Sequence, residues 1–234
     1  MQELATAARR RVVRDLEAIR GFATRHALLP IVFFLFLASL FLFTNLRVNR
    51  DFFYVAVLPL GLLLLPSLQP GSVLRTQLWR VSVAYLAFFV VAVAWSPDPS
   101  LQAFVDVTRR GLLVAFFLVL TAGLALADPK FEARLFKLLA LVAAVAALAS
   151  ATQFYGTHPP SMRLTGIRVF DVNLGASANA NVAAPMFTTV LLGLLVHGIL
   201  GNPDRRRALL WSGVALVLLA FLVAGGSRGS LVAL

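Results

Sequence analysis

The chain alternates long apolar runs with short polar segments, and each run approaches the roughly 20 residues that a helix needs to cross a bilayer core of about 30 Å. Seven such runs are expected to be membrane spans: Ala27–Leu46, Phe52–Leu68, Val81–Trp95, Gly111–Ala127, Leu138–Phe154, Ala183–Leu200 and Ala208–Ala224. None of them contains Asp, Glu, Lys or Arg. Pro59 and Pro66 are expected to bend the second run or end it early, because proline breaks the helical hydrogen-bond ladder. Trp79 and Trp95 stand where interfacial anchors of the third would be. The alanines of the fifth suit close helix packing. His197, near one end of the sixth, reads as a packed or snorkelling side chain. The final run, Leu231-Val232-Ala233-Leu234, reads as the start of an eighth span cut short, so the chain is expected to be one part of a larger protein.

Before the first span, Leu4, Ala8, Val12, Leu16, Ile19 and Phe22 recur at helical spacing, with Arg9, Arg10, Arg11, Arg14 and Arg20 among the positions between. Residues 1–26 therefore read as an amphipathic helix lying on an anionic cytoplasmic leaflet, the alternative being a frayed basic tail. They lack the compact apolar core and small-residue cleavage site of a signal peptide. The expected organisation is thus an N-terminal helix over 1–26 and a transmembrane domain over 27–234, the latter with a long outer loop at 155–182.

Composition agrees with lipid as the main solvent. The chain is 60% hydrophobic and 13% charged, against nearly half apolar and about a quarter charged in soluble domains. Having no cysteine, it can hold neither a disulfide framework nor a thiolate metal site. The three histidines, His26, His158 and His197, fall on different elements and suggest no metal cluster.

The net charge of +11 is not read as a nucleic-acid signal, because membrane proteins gather Lys and Arg in their cytoplasmic loops. With the N-terminus placed inside, the cytoplasmic segments hold fourteen of these residues: Arg9, Arg10, Arg11, Arg14, Arg20, Arg25, Arg75, Arg80, Lys130, Arg134, Lys137, Arg205, Arg206 and Arg207. The outer loops hold seven: Arg47, Arg50, Arg109, Arg110, Arg163, Arg168 and Arg228. This two-to-one bias selects that orientation.

Two polar interruptions then share the outer face. Arg163–Asn181 carries Arg163 and Arg168 among small and amide residues, and Gly225–Gly229 carries Arg228 between glycines. Guanidinium groups are planar, permanently charged forks suited to phosphate oxygens, while Gly166 and Gly175 permit close backbone approach. Asn173, Ser177, Asn179 and Asn181 supply donors and helix caps before the sixth span, where Pro185 suits a first helical turn. Three arginines at one interface fit a pyrophosphate on a lipid carrier. They equally fit plain headgroup contacts or helix stops, and Gly225 with Gly229 has the spacing of a small-residue packing motif. Arg109-Arg110 reads as a basic patch against headgroups. Asp171 is a partner for Arg168, and His158 is either a base near Arg163 or a loop histidine without a role.

The run Arg163-Leu164-Thr165-Gly166, followed by Asn179-Ala180-Asn181-Val182-Ala183 entering a helix, resembles the bacterial O-antigen ligase and O-antigen polymerase superfamily. Gly226-Ser227-Arg228-Gly229-Ser230-Leu231 is similar to a later signature of that family, in the same order and one helical hairpin further on. Motif support covers roughly Leu138–Leu234; the earlier spans match by hydropathy alone. A long insertion between Gly166 and Asn179 departs from the family pattern and leaves both Arg163 and Arg168 as candidates for the equivalent arginine.

The resemblance implies an all-α, polytopic glycosyltransferase of the bacterial inner membrane, similar to GT-C folds and active at the periplasmic face without metal or other cofactor. Its donor would be a glycan on undecaprenyl pyrophosphate and its acceptor lipid A-core, with O-antigen polymerisation or protein glycosylation as alternatives. Arg163, Arg168 and Arg228 would bind the pyrophosphate, supported by Asn179, Asn181 and Ser227. The family's catalytic histidine would lie beyond Leu234, leaving His158 as a weak candidate within the chain. A transporter or lipid-glycan flippase is the reading from another class, although the spans lack the midplane charges such proteins use. A non-catalytic membrane scaffold is a third.

Overall fold

A computed structural model of the chain describes residues 28–43, 46–68, 70–96, 99–157 and 180–224. Helix accounts for 92% of the described residues and none lies in a strand. Each segment therefore satisfies its backbone internally, as lipid requires. The helices are α1 (Leu28–Leu42), α2 (Leu46–Phe52), α3 (Leu58–Leu64), α4 (Pro70–Leu74), α5 (Gln77–Ala92), α6 (Leu101–Ala127), α7 (Phe131–Thr157), α8 (Ala180–Leu194) and α9 (Arg205–Ala224). Five helical stretches are long and apolar enough to cross a membrane: Arg47–Leu68, Leu101–Ala127, Phe131–Gly156, Ala183–Leu200 and Arg205–Ala224. Leu28–Leu42 and Trp79–Trp95 are shorter apolar helices. The expected N-terminal helix over 1–26 lies outside the described residues.

The helices extend past the apolar runs. α6 starts at Leu101 rather than Gly111 and carries Asp106, Arg109 and Arg110 on its first turns. α7 starts at Phe131, seven residues before the apolar run, and includes Glu132, Arg134 and Lys137. Hydropathy marks the part of a helix that matches hydrocarbon, while the hydrogen-bond ladder continues into the headgroup region. The first run is instead shortened, since α1 ends at Leu42 and a new helix begins at Leu46.

The second run does not end early at either proline: helix continues through both to Leu68, with local changes of helix type. Pro59 cannot donate to the carbonyl of Val55, and a π-helical turn occupies Phe53–Val57 immediately before α3. A tighter 3-10 turn, Leu65–Leu68, surrounds Pro66. Pro185, expected in a first turn, lies inside α8 and leaves the carbonyl of residue 181 without its usual helical donor.

The contacts divide the chain into two compact units, Met1–His26 with Leu60–Pro129, and Ala27–Pro59 with Lys130–Leu234. In the described part of the first, α5 and α6 form a hairpin. Thr76 Oγ1 accepts from the N–H of Trp79 at 3.2 Å and Ser100 Oγ from that of Ala103 at 3.1 Å, so each helix starts on a side-chain cap. Gly123 of α6 receives Leu68 against its backbone, beside buried Leu120 and Leu124. Large apolar side chains such as Val81, Tyr85 and Phe88 are exposed along α5, and Trp95 in the turn that follows it. Water would not tolerate so continuous an apolar surface; lipid does, and the chain reads as membrane-embedded.

The second unit is built on α7. Phe131, Leu135, Leu139, Ala143, Ala147, Ser150 and Phe154 recur every three or four residues as its buried stripe. Ala140, Ala144 and Ala146 widen it with small side chains, which lets neighbouring backbones approach as the alanine density of the run suggested. Phe33 of α1 meets Phe131 at the start of α7, with ring centroids 6.3 Å apart. Phe187 of α8 sits between Phe41 of α1 at 5.1 Å and Phe221 of α9 at 4.9 Å. Phe136 of α7 packs directly on the backbone of Gly193, and Trp211 of α9 on Gly198.

Substituting Gly193→Ala would force a methyl group into the Phe136 ring, so a loss of about 1–3 kcal/mol is expected in detergent-solubilised unfolding experiments. Gly213 has open space where a Cβ would stand, and Gly213→Ala is expected to leave stability unchanged or raise it by up to about 1 kcal/mol. Equal effects at the two positions would contradict this packing.

Candidate functional site

Most residues singled out by sequence lie outside the described residues: Arg163, Arg168, Asn179, Ser227, Arg228 and His158. Asn181 belongs to the first turn of α8, where the backbone alone is described. What the structure supplies is the platform to which these stretches attach.

That platform follows from the packing of the second unit. His197 and Gly193, late in the α8 segment, meet Glu132 and Phe136 at the start of α7, so α7 and α8 run antiparallel. A four-residue connection, 201–204, then leads into α9, whose Trp211 packs on Gly198. The start of α9 therefore lies at the end of the unit where α7 begins. The opposite end holds Thr157, where α7 stops, Ala180, where α8 begins, and Ala224, where α9 stops. Both ends of 158–179 and the start of 225–234 are attached there, so the two arginine-bearing stretches spring from the same end of one unit.

Two buried polar groups in this unit escaped the sequence reading. Asn49 of α2 is only 4% exposed; its Nδ2 donates to the Phe43 carbonyl at 3.4 Å, and its Oδ1 has no partner. Thr188 of α8 is 6% exposed, and its Oγ1 also lacks a partner. A threonine in a helix usually donates to the carbonyl four residues back, as Thr189 does to Pro185 at 2.8 Å. Thr188 therefore departs from the local habit in the helix that Pro185 interrupts. Neither could be found by pattern: Asn49 sits in a segment that reads as a polar loop, and a lone Thr in an apolar run reads as a back-bonded helix residue. Unpartnered buried polar atoms cost stability, and here they lie on helices that lead to the candidate end.

The remaining charged candidates are accounted for locally. Arg109, expected in an outer loop, is helical and pairs with Asp106 at 3.4 Å on the exposed face of α6. His197 is packed, as expected for a helix-end histidine. Its ring stacks on Phe136 at 5.7 Å with an interplanar angle of 10°, and Nε2 is 3.8 Å from Glu132. It occupies the π-helical segment Leu195–Leu200, at the end opposite the candidate stretches. Among the described residues, no three of His, Asp and Glu come together.

Compared with known proteins, the chain matches no family model, and no curated protein sequence or solved structure is similar to it.

Proposed function

We propose that the chain is a membrane-embedded glycosyltransferase that moves O-antigen glycan from undecaprenyl pyrophosphate to lipid A-core. In this reading α1 and the Trp79–Trp95 helix join the five longer helices as spans, giving seven, with a GT-C-like arrangement in the bacterial inner membrane. The N-terminus is cytoplasmic and the end of the second unit that bears Thr157, Ala180 and Ala224 is periplasmic. The observation that carries the reading is the attachment of the Arg163–Asn181 and Ser227-Arg228-Gly229 stretches to that one end.

The chemistry asked of these residues is electrostatic. The glycosyl carbon–oxygen bond to the pyrophosphate breaks, and its electron pair stays with the departing pyrophosphate. Arg163, Arg168 and Arg228 stabilise that charge with forked hydrogen bonds. Asn179, Asn181 and Ser227 contribute neutral donors. The acceptor hydroxyl bonds to the glycosyl carbon and gives its proton to a base, which the family resemblance places beyond Leu234.

The test is transfer of carrier-linked glycan to lipid A-core by the full-length protein and by its Arg163→Ala, Arg168→Ala and Arg228→Ala variants. Arg228→Ala and at least one of the other two are expected to lose transfer. Full transfer by all three rejects the arginine–pyrophosphate assignment. Transfer to a second carrier-linked glycan, rather than to lipid A-core, makes the protein a polymerase with the same donor chemistry. Separately, cysteines introduced at Ser161 and Ser230 are expected to react with a membrane-impermeant reagent from outside, and a cytoplasmic result at either position rejects the orientation.

A further inference from the structure

The end of the second unit opposite the candidate site gathers basic side chains from two helices. Lys130, Arg134 and Lys137 come from the start of α7, and Arg205, Arg206 and Arg207 from the first turn of α9. The antiparallel packing of α7 against α8, followed by the short connection into α9, brings both groups to one end. The acidic residues of this unit there are Glu132 and Asp204, fewer than the basic ones, and Lys130 and Arg134 already have partners.

Both acids are already engaged. One oxygen of Asp204 accepts from the N–H of Arg206 at 3.0 Å, and the other faces Arg207 Nε at 3.3 Å. Glu132 faces His197 at 3.8 Å. Among the described residues, Arg205 and the Arg206 guanidinium have no carboxylate within 4.0 Å, and all three arginines are exposed. Helix stability does not explain the triplet, since cations in a first turn oppose the helix dipole.

Their surroundings identify the missing anion. Leu209 and Leu210 follow within one turn and are 75% and 72% exposed, and Leu200, just before the connection, is 80% exposed. Trp211, one turn beyond Arg207, is the amphipathic ring that favours the membrane interface. With a rise of about 1.5 Å per residue, the backbone positions of the three arginines stand only about 3–8 Å along the axis from those of leucines that need hydrocarbon. A soluble acidic partner would leave those leucines facing water. A lipid satisfies both surfaces, with acyl chains on the leucines and a phosphate under the arginines, which bind phosphodiester oxygens as forks.

We propose that this end, centred on Arg205 and Arg206 with Arg207, Lys137, Arg134 and Lys130 around them, is a binding surface for anionic phospholipid headgroups. The site prefers a phosphatidylglycerol-type lipid over a zwitterionic one, because the exposed Arg205 and Arg206 guanidinium groups have no carboxylate within 4.0 Å among the described residues. It does not rest on the transferase reading, and it holds whichever leaflet this end faces.

The test counts lipids bound to the purified, detergent-solubilised chain by native mass spectrometry during titration with phosphatidylglycerol or phosphatidylcholine. Phosphatidylglycerol is expected to bind at least about tenfold more tightly, from several basic residues each worth a few-fold near a charged lipid surface. Arg205→Gln/Arg206→Gln is expected to weaken that binding about 10- to 30-fold and to leave phosphatidylcholine unchanged. Arg205→Lys/Arg206→Lys retains most of the affinity. Equal binding of the two lipids by the unsubstituted chain overturns the proposal, as does undiminished phosphatidylglycerol binding by the glutamine variant. So does displacement of the lipid by an equal concentration of soluble glycerophosphate, which would make the ligand a free phosphate compound. If the glutamine variant does not fold, the two-lipid comparison and the lysine variant still decide the matter.

Discussion

Phe187→Ala is expected to destabilise the second unit by about 3 kcal/mol, the low end of the range for phenylalanine truncation in a packed core. Phe187 is 1% exposed and joins three helices, through ring contacts with Phe41 of α1 and Phe221 of α9. The low end applies because lipid is itself apolar, so exclusion from water contributes little to association of these helices. What is lost is contact: truncation leaves a void beside two aromatic neighbours that come from different helices. Phe187→Leu, which keeps most of the volume, is expected to cost less than half as much. Leu192→Ala, on the same helix but 40% exposed, is expected to change stability by under about 1 kcal/mol. Denaturant titration in a mild detergent orders the three variants. A Phe187→Ala loss no larger than that of Leu192→Ala would mean that α1, α8 and α9 do not share this joint.

The helices were legible in the sequence wherever apolar side chains recur for long enough, and less so where a helix continues through charged turns. Gly111 marks the edge of the hydrocarbon match, yet α6 has already run through Asp106, Arg109 and Arg110 by then. Ser100 was a readable start signal for that earlier beginning, because its hydroxyl caps the helix. The same holds for Thr76 before α5. Pro59 was expected to bend the second run or end it early; helix instead continues to Leu68, with a π-helical turn at Phe53–Val57 just before the proline. Pro185 misled, because helix geometry tolerates proline in a membrane interior when neighbouring helices hold the segment. For the candidate site, the polar interruptions single out the arginines as candidates, but nothing in a linear pattern says which helix ends meet. That information lies in contacts such as Gly193 on Phe136 and Phe187 on Phe221, between residues distant in sequence. Thr188 was unreadable for a further reason: its buried, unpartnered hydroxyl is a property of packing, not of residue type.

The shared attachment of the two arginine-bearing stretches makes a stronger test than any single substitution. If Arg163 and Arg228 hold one pyrophosphate, alanine at either is expected to lower kcat/KM by about 10²–10³-fold, as for loss of one preorganised donor to developing negative charge. The Arg163→Ala/Arg228→Ala double variant is then expected to lose much less than the product of the two. Once one guanidinium is gone the anion is already misplaced, and the second has less to stabilise. The corresponding coupling is about 0.5–3 kcal/mol, the range for residues that share a partner. Arg168→Ala provides the parallel cycle, and the arginine of the pair that couples to Arg228 is the one equivalent to the family's. Lysine variants separate charge from geometry: Arg228→Lys keeps the charge but not the fork, so its activity is expected to fall between alanine and arginine. Additive losses in both cycles would place the stretches on separate ligands despite their common attachment at Thr157, Ala180 and Ala224. Strong coupling in one cycle, with lysine recovering part of the loss, would require both stretches to close on a single anion at that end of the unit.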